Sequence, residues 1–281
     1  MDHNVKQLRR RKEHREIFEM IAKSDIVIQV LDARFPEKCR SKILEEFAVK
    51  KNVQMICCIN KTDLIPKEIA EEWKTIISRE LPTVFVSTIE RQGTSILRRQ
   101  IERFSTKSES IVGIVGYPNV GKSSLINVLK GKKSAPTSPR AGFTRHLRPV
   151  RITNKLMLID TPGVAPRENL ALEEEIFLGT VAVENIYQPE LMCSYIFDQF
   201  KEQDLLFEME KYLGMKVTDS VDEVLENFAR KRGLIRKNAE PQIDEAARII
   251  IRDFMTGKIT YYEKPKTMRK TTKLNKFAET S

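Results

Sequence analysis

The residues best suited to chemistry form the stretch GYPNVGKS at 116–123, which follows an apolar run at 111–115. This pattern predicts a buried strand, a phosphate-binding loop and a helix over 124–130. The backbone N–H groups of the loop and the positive end of the helix would hold anionic oxygens. Lys122 would then reach the β- and γ-phosphates of a nucleotide, and the Ser123 hydroxyl would bind the bridging Mg²⁺. A chance glycine-rich turn is the alternative. The loop residues assigned to the nucleotide are Asn119, Val120, Gly121, Lys122, Ser123 and Ser124.

A second polar stretch, NKTD at 60–63, follows the apolar run 55–59. Ligands of parallel α/β sheets bind at the C-terminal ends of strands, so this position suits a binding loop. Asp63 can accept hydrogen bonds from N1–H and the 2-amino group of guanine, while Asn60 fixes the loop and reads the base edge. Lys61 can lay its aliphatic stem over the ring. Such a site would reject adenine, which leaves its polar groups unpaired. Taken alone, the tetrapeptide also makes a good surface turn.

A weaker signal, Ser87-Thr88, follows a predicted strand at 83–86. A backbone N–H at this position can meet the guanine O6. The residue after such a serine is usually alanine, and Thr88 stands there in this chain.

Three residues downstream of the phosphate loop complete the predicted site. Thr144 lies in a segment rich in proline, glycine and serine, where it would be the second hydroxyl ligand of Mg²⁺. Residues 147–152 and the apolar run 156–159 are predicted to form a strand pair. The second run ends in DTPG, where Asp160 can hold Mg²⁺ through water and the Gly163 N–H can contact the γ-phosphate.

The order of these motifs differs from that of an ordinary GTPase, because the base-reading segments precede the phosphate loop. The polar stretch FSTKSES at 104–110 would join the original termini, and the new opening would lie after DTPG. We therefore predict an α/β fold: a circularly permuted P-loop GTPase domain, with a mostly parallel sheet and helices on both faces, followed by a small all-α domain.

Four parts are predicted along the chain: a basic N-terminal helix (1–23), the permuted GTPase domain (24–164), a helical C-terminal domain (165–260) and a basic, disordered tail (261–281). In the GTPase domain, strands are predicted at 26–31, 55–59 and 83–86, and helices around 43–47 and at 69–81 and 93–104. In the helical domain, apolar spacing predicts helices at 171–186, 203–213, 221–230 and 242–256. Ser220 with Glu223 has the pattern of a capping box.

Charge is concentrated at the two ends of the chain. Of the formal net charge of +10, residues 1–15 supply +4 and residues 264–281 supply +5. Basic ends on a nearly neutral body suggest contact with a polyanion such as nucleic acid, the alternative being solvated termini with no partner. Four cysteines without framework spacing suit a reducing compartment. No apolar run reaches membrane-spanning length and the start lacks a hydrophobic signal core, so we expect a cytoplasmic protein that does not enter membranes.

Taken together, these motifs resemble a known family. The order NKTD, Ser-Thr, GYPNVGKS, Thr144 and DTPG is similar to that of the circularly permuted ribosome-assembly GTPases, the bacterial RbgA/YlqF group with archaeal and nucleostemin-like relatives. The segment DARFP at 32–36 also matches this family, as do Lys-Arg-Gly at 231–233 and Ile-Arg-Asp at 251–253. The resemblance covers about residues 20–260.

The resemblance implies a slow GTPase that uses GTP/GDP and Mg²⁺ and acts as a switch in assembly of the large ribosomal subunit. Its implied partners are the large subunit or its precursor, with ribosomal RNA contacted by the N-terminal helix and the tail. Nothing in the sequence suggests more than a monomer. Two alternatives are a GTP-gated RNA-binding scaffold with incidental hydrolysis and a GTPase acting on another structured RNA.

Catalysis is the part of the site that the resemblance defines least. Lys122, Thr144 and Gly163 are the residues assigned to it. Asn119 occupies the position that helps bind K⁺ in potassium-dependent relatives, or it only shapes the loop. Val164 stands where Ras-like enzymes place a water-positioning glutamine. Counted back without gaps, Arg9 stands where bacterial relatives carry a histidine that has been proposed to act in catalysis. His3, His14 and His146 are interpreted as surface residues, so no general base is assigned.

Overall fold

The computed structural model describes residues 14–130, 149–153, 155–160 and 170–266. Its backbone contacts divide the chain into two compact units, Met1–Glu168 and Asn169–Ser281. Within the described ranges, no helix is both long and apolar enough to cross a membrane.

The first unit contains a sheet made of β1 (Ile26–Asp32), β2 (Gln54–Asn60), β3 (Thr83–Val86), β4 (Ser110–Val115), β5 (Pro149–Arg151) and β6 (Leu156–Asp160). The strand order is β3-β2-β1-β4-β6-β5. All neighbours pair in parallel except β5, which lies antiparallel to β6 at one edge. Every residue of β1 is buried, as the near-continuous apolar run of a central parallel strand requires. The predicted α/β class with a mostly parallel sheet is confirmed.

Six helices accompany this sheet in the described part of the unit: α1 (residues 14–23), α2 (Pro36–Cys39), α3 (Lys42–Lys50), α4 (Lys67–Ile77), α5 (Thr94–Phe104) and α6 (Lys122–Lys130). Helix α2 was not predicted. Helix α4 ends four residues before the predicted end at Leu81, because the chain continues in turns while Leu81 still packs against the core.

Helix α1 packs directly on the sheet. Ile17, Met20 and Ile21 are buried in the same core cluster as residues of β1 and β4. Gly113 in β4 makes room for this contact, since a Cβ there would lie 2.0 Å from the Met20 Sδ. The basic segment predicted as a helix over 1–23 is helical from residue 14, and its earlier residues lie outside the described ranges.

The second unit contains α7 (Leu172–Phe177), α8 (Pro189–Glu202), α9 (Leu206–Leu213), α10 (Val221–Lys231) and α11 (Ile243–Thr256). The single helix predicted over 171–186 is wrong: α7 ends at Phe177, Gly179 has a left-handed φ of 70°, and a short 3₁₀ turn follows at Val183–Asn185. Helix α8 was missed altogether. The Ser220 Oγ caps α10 by accepting from the Glu223 N–H at 3.3 Å, as predicted.

An aromatic cluster forms the core of this unit. The Phe177 and Phe254 ring centroids are 4.9 Å apart, and Tyr261 lies 4.9 Å from Phe200 and 5.4 Å from Phe254. Tyr261 is fully buried, and the Lys264 N–H donates to Gln203 Oε1 at 2.9 Å. The chain therefore packs on the helices beyond residue 260, where the basic tail was predicted to begin.

All four cysteines are buried and unbridged. Cys57 and Cys58 lie in β2, where burial raises the pKa of the Cys58 thiol to about 12. Both therefore pack as small apolar groups, as the sequence predicts.

Candidate functional site

The loop between β4 and α6 has the backbone of a phosphate cradle. Gly116 has a φ of 150° and Gly121 a φ of 96°, values that an L side chain rarely adopts. A Cβ at residue 116 would lie 2.5 Å from the Val30 carbonyl oxygen. Asn119 also takes a left-handed conformation, with a φ of 60°. These conformations let the chain turn tightly between the strand and the first turn of α6, where backbone N–H groups lack helical partners.

Lys122, at the start of α6, folds back into this loop. Its Nζ donates to the Gly116 carbonyl at 2.9 Å and to the Tyr117 carbonyl at 2.6 Å, and the residue is 7% exposed. The ammonium is thus held inside the loop rather than in bulk water. Ser123 and Ser124 follow in the first turn of α6, and both are exposed.

Asn60 joins the NKTD segment to the phosphate loop. Its Nδ2 donates to the Val120 carbonyl at 2.9 Å, and the side chain is fully buried. A Cβ at Gly121 would lie 2.2 Å from this nitrogen, so the contact requires glycine there. The Oδ1 of the same amide is buried and has no hydrogen-bond partner among the described residues. A buried acceptor in this position fits a ligand that brings a donor, as a nucleotide base does.

Lys61 is held by a buried carboxylate. Its Nζ lies 2.8 Å from Asp32 Oδ2, which also contacts Arg34 Nη2 at 2.9 Å. Burial alone would raise the pKa of the Asp32 carboxyl, but the charges and hydrogen bonds of Arg34 and Lys61 outweigh it and hold that pKa well below its usual range. We call these three residues, Asp32, Arg34 and Lys61, the clamp. It fixes the Lys61 side chain at the C-terminal end of β2.

The sequence did not assign Asp32 and Arg34 to the site. The residues DARFP were recognised only as a family match. The structure shows why Asp32 and Arg34 belong to the site: Asp32 ends β1 and pairs in register with Asn60, which ends β2. Polar residues at the ends of adjacent parallel strands meet at one edge of the sheet.

Asp63 is positioned by Ser87. The Ser87 Oγ donates to Asp63 Oδ1 at 2.6 Å, which joins the two predicted base-reading segments. The Ser87 N–H donates to the Gln92 carbonyl at 3.2 Å and so cannot serve the base. The Thr88 N–H makes no backbone hydrogen bond within the described residues, so its geometry allows donation to a ligand acceptor.

Only some of the residues predicted to surround Mg²⁺ lie in the described ranges. Thr144, Gly163 and Val164 lie outside the described residues. Asp160 ends β6, where its backbone pairs in register with Ile114 of β4, next to the phosphate loop. In the described ranges, no group of three histidine, cysteine or acidic residues could hold a metal ion. Of the three histidines, only His14 is described, and it lies in α1.

Two protein-family models match this chain. The model described as RsgA GTPase matches residues 2–169, which is more than half of the chain. The model described as 50S ribosome-binding GTPase matches residues 111–237.

Several curated proteins are similar over most of the chain. A GTP-binding protein of Methanocaldococcus jannaschii is 37% identical over 87% of this chain and 65% of its own length. Nucleolar GTP-binding protein 2 of Saccharomyces cerevisiae is 36% identical over 89% of this chain and 52% of its own length. GTPase grn1 of Schizosaccharomyces pombe is 31% identical over 90% of this chain and 62% of its own length. The chain therefore spans about half to two thirds of the length of these relatives.

Among solved structures, the crystal structure of GNP-bound YlqF from T. maritima matches with a TM-score of 0.68. The match covers 91% of this chain and 99% of that one, at 23% identity. The GDP-bound structure of the same protein matches with a TM-score of 0.63. At this level of identity the likeness concerns the fold.

Proposed function

The chain belongs to the circularly permuted ribosome-assembly GTPases, and we propose from this membership that it hydrolyses GTP to GDP and phosphate as a switch in assembly of the large ribosomal subunit. The observation that supports this most directly is the 2.9 Å hydrogen bond from Asn60 Nδ2 to the Val120 carbonyl. It brings the guanine-reading segment against the phosphate loop although their order along the chain is reversed.

Guanine would be recognised at the ends of β2 and β3. We expect Asp63, oriented by Ser87, to accept from N1–H and the 2-amino group of the base. The Thr88 N–H would donate to O6, and the clamped stem of Lys61 would cover one face of the ring. Adenine offers a donor where guanine has O6 and lacks the 2-amino group, so both polar contacts would be lost.

The phosphates would lie in the loop preceding α6. Lys122 is 7% exposed and its Nζ already lies inside that loop, so it can exchange carbonyl oxygens for phosphate oxygens with little movement. We assign Ser123, Thr144 and Asp160 to Mg²⁺, which would neutralise charge between the β- and γ-phosphates. The Gly163 N–H would contact the γ-phosphate.

Hydrolysis would depend on positioning and electrostatics, because phosphoryl transfer needs little covalent chemistry from the protein. Lys122, Thr144 and Gly163 are the residues we assign to it, with no general base. Asn119 is the candidate for a K⁺ ligand beside the phosphates. Val164 cannot orient water, which suits an enzyme that is slow alone and is stimulated by its ribosomal partner.

In this proposal, residues 24–164 act as the switch and residues 165–260 respond to it. The protein would work as a cytoplasmic monomer on the large subunit or its precursor. The basic segments 1–23 and 261–281 would contact ribosomal RNA through its phosphates.

The test is GTP hydrolysis in K⁺ buffer, measured alone, with large subunits and with small subunits, and repeated in Na⁺. We expect stimulation by large subunits alone and a lower rate in Na⁺. Lys122→Ala should weaken GTP binding about 10- to 100-fold, the value of a lost charge-assisted contact. Lys130→Ala, which removes the same charge at the other end of α6, is the matched control. Unchanged GTP binding by Lys122→Ala would contradict the site assignment.

The scaffold alternative predicts a different outcome of the same assay. A scaffold would bind nucleotide tightly, show no stimulation by either subunit, and bind ribosomal RNA equally with GDP and with a GTP analogue.

A further inference from the structure

Within residues 170–266 of the second unit, basic residues are densest in one short segment. Residues 170–266 carry 19 acidic and 13 basic residues, a formal charge of −6. Five of the basic residues and none of the acidic ones fall within residues 230–237, RKRGLIRK. The other described residues of the unit therefore carry 8 basic and 19 acidic residues, a formal charge of −11. Among these described residues, a polyanion would be repelled by most of the surface and attracted at this segment.

The segment folds into a fixed hairpin between α10 and α11. The Leu234 N–H donates to the Ala229 carbonyl at 2.9 Å, the Arg236 N–H to the Glu240 carbonyl at 2.8 Å and the Gln242 N–H to the Leu234 carbonyl at 2.8 Å. Ile235 and Pro241 form an antiparallel bridge. We call residues 230–241 the basic hairpin; it contains one acidic residue, Glu240.

The two cations at the tip of the hairpin differ in their pairing from seven other basic side chains of the unit, one of which, Arg230, lies at the base of the hairpin. Seven basic side chains lie 3.9 Å or less from a carboxylate oxygen: Lys201, Lys211, Lys216, Arg230, Arg248, Arg252 and Lys258. Arg236 and Lys237, at the tip, are exposed and have no carboxylate partner among the described residues. These two charges are therefore not neutralised within the protein.

The base of the hairpin holds two further cations in place. The Arg232 guanidinium lies 5.1 Å from the Phe228 ring centroid and 6.0 Å from that of Tyr212. Lys231 Nζ donates to the Leu213 carbonyl at 3.0 Å and to the Gly214 carbonyl at 2.8 Å. Next to them, a Cβ at Gly233 would meet no atom within 4 Å, so the backbone is open to a neighbour.

We propose that the basic hairpin is a docking surface for the phosphate backbone of structured RNA, with Arg236 and Lys237 as its principal contacts. This inference rests on the proposed function, which supplies ribosomal RNA as the partner. Guanidinium and ammonium groups at the tip of a rigid hairpin fit phosphates, and no ordering of a flexible segment is needed. A membrane surface fits less well, because Ile235 is the one large apolar side chain in the hairpin that is exposed, at 37%.

The experiment measures binding of the full chain to a fluorescein-labelled 24-base-pair RNA duplex as a function of salt. The double variant Arg236→Gln/Lys237→Gln should bind about 10- to 100-fold more weakly at 0.1 M salt, with a slope of log K against log [salt] smaller by about 1.5 to 2. Lys201→Gln/Arg252→Gln removes one lysine and one arginine from the same unit outside the hairpin and should change binding less than 3-fold. Arg236→Lys/Lys237→Arg keeps both charges and should bind like the wild type.

The outcomes separate this inference from the function on which it rests. Equal RNA binding by the wild type and by Arg236→Gln/Lys237→Gln would overturn the proposal that the hairpin docks RNA. It would not contradict ribosomal RNA as the partner. Equal losses in the hairpin variant and in Lys201→Gln/Arg252→Gln would also overturn it, because net charge alone would then account for binding. Absence of RNA binding by the wild type would overturn both. Tighter binding of poly-glutamate than of the duplex would assign the surface to an acidic protein. Nucleotide affinity, measured in parallel, should be the same in all variants.

Discussion

Asp32 is a buried carboxylate shared between two cations. Only 3% of its side chain is exposed, and it lies 2.9 Å from Arg34 and 2.8 Å from Lys61. A buried ion pair adds little net stability because desolvation opposes the attraction, but removing one partner leaves an uncompensated charge. We infer that the main role of Asp32 is to position Lys61 where the guanine ring would lie.

Replacing Asp32 with asparagine should therefore affect both folding and binding. At pH 7 we expect Asp32→Asn to lower the free energy of unfolding by about 3–5 kcal/mol, because Arg34 stays buried without its carboxylate. GDP affinity should fall about tenfold as Lys61 loses its fixed position. Urea unfolding and fluorescent-GDP titration measure the two effects. Glu71→Gln, which removes an exposed carboxylate paired with Lys67, is the control and should change neither.

The wild type and Asp32→Asn should also differ in how their unfolding free energies depend on pH. The pKa of Asp32 is lower in the folded chain than in the unfolded one, where it is about 3.9. Its contribution is then complete above about pH 4 and is lost as the pH falls further towards the folded pKa. The difference in unfolding free energy between wild type and Asp32→Asn should be constant from about pH 5 to 7 and shrink below about pH 4. A difference that stays constant down to about pH 3 would contradict the ion-pair explanation.

At the scale of elements, the phosphate loop and the NKTD segment act as one structure because Asn60 bridges them. Gly121 permits this bridge. An alanine there would strain a φ of 96° and place its Cβ 2.2 Å from Asn60 Nδ2. We expect Gly121→Ala to fold but to bind GTP about 10- to 100-fold more weakly, the effect of a lost hydrogen bond at a buried polar group.

Gly233→Ala provides the matched control for this variant. Gly233 also has a positive φ, 69°, but no heavy atom would lie within 4 Å of its Cβ. The substitution should cost about 1 kcal/mol of backbone strain and leave GTP affinity unchanged. If Gly121→Ala bound GTP as tightly as Gly233→Ala does, the bridge would have no role in the site.

Elements whose signals are local were predictable from the sequence. Strand β3 matches its predicted bounds, β1 and β4 differ by one residue at one end, and β2 differs by one residue at each end, because buried parallel strands are short apolar runs. Helix α8 (Pro189–Glu202) was missed, and the helix predicted over 171–186 wrongly ran past Gly179. The clamp around Asp32 was missed for a different reason: it depends on which strands are neighbours, and a single sequence does not contain that pairing.

At the scale of the whole molecule, the single tryptophan allows unfolding of the first unit to be measured apart from that of the second. Trp73 is the only tryptophan of the chain and is 6% exposed in α4, within the first unit. Its fluorescence therefore reports unfolding of the unit that contains the nucleotide site. Far-ultraviolet circular dichroism, in contrast, follows the helices of both units, α1–α11, and therefore reports unfolding of the whole chain.

Nucleotide binding should stabilise the first unit by mass action. With GDP at 100 times its Kd, the free energy of unfolding followed by Trp73 fluorescence should rise by about 2.7 kcal/mol, because GDP binds the folded unit and not the unfolded chain. ATP at the same concentration should give no rise, since Asp63 cannot pair with adenine. Lys122→Ala should give a much smaller rise with GDP, as its Kd is higher. An equal rise with GDP and ATP would show that phosphates alone are bound, and would remove the guanine-reading role from the NKTD segment while leaving the phosphate loop in place.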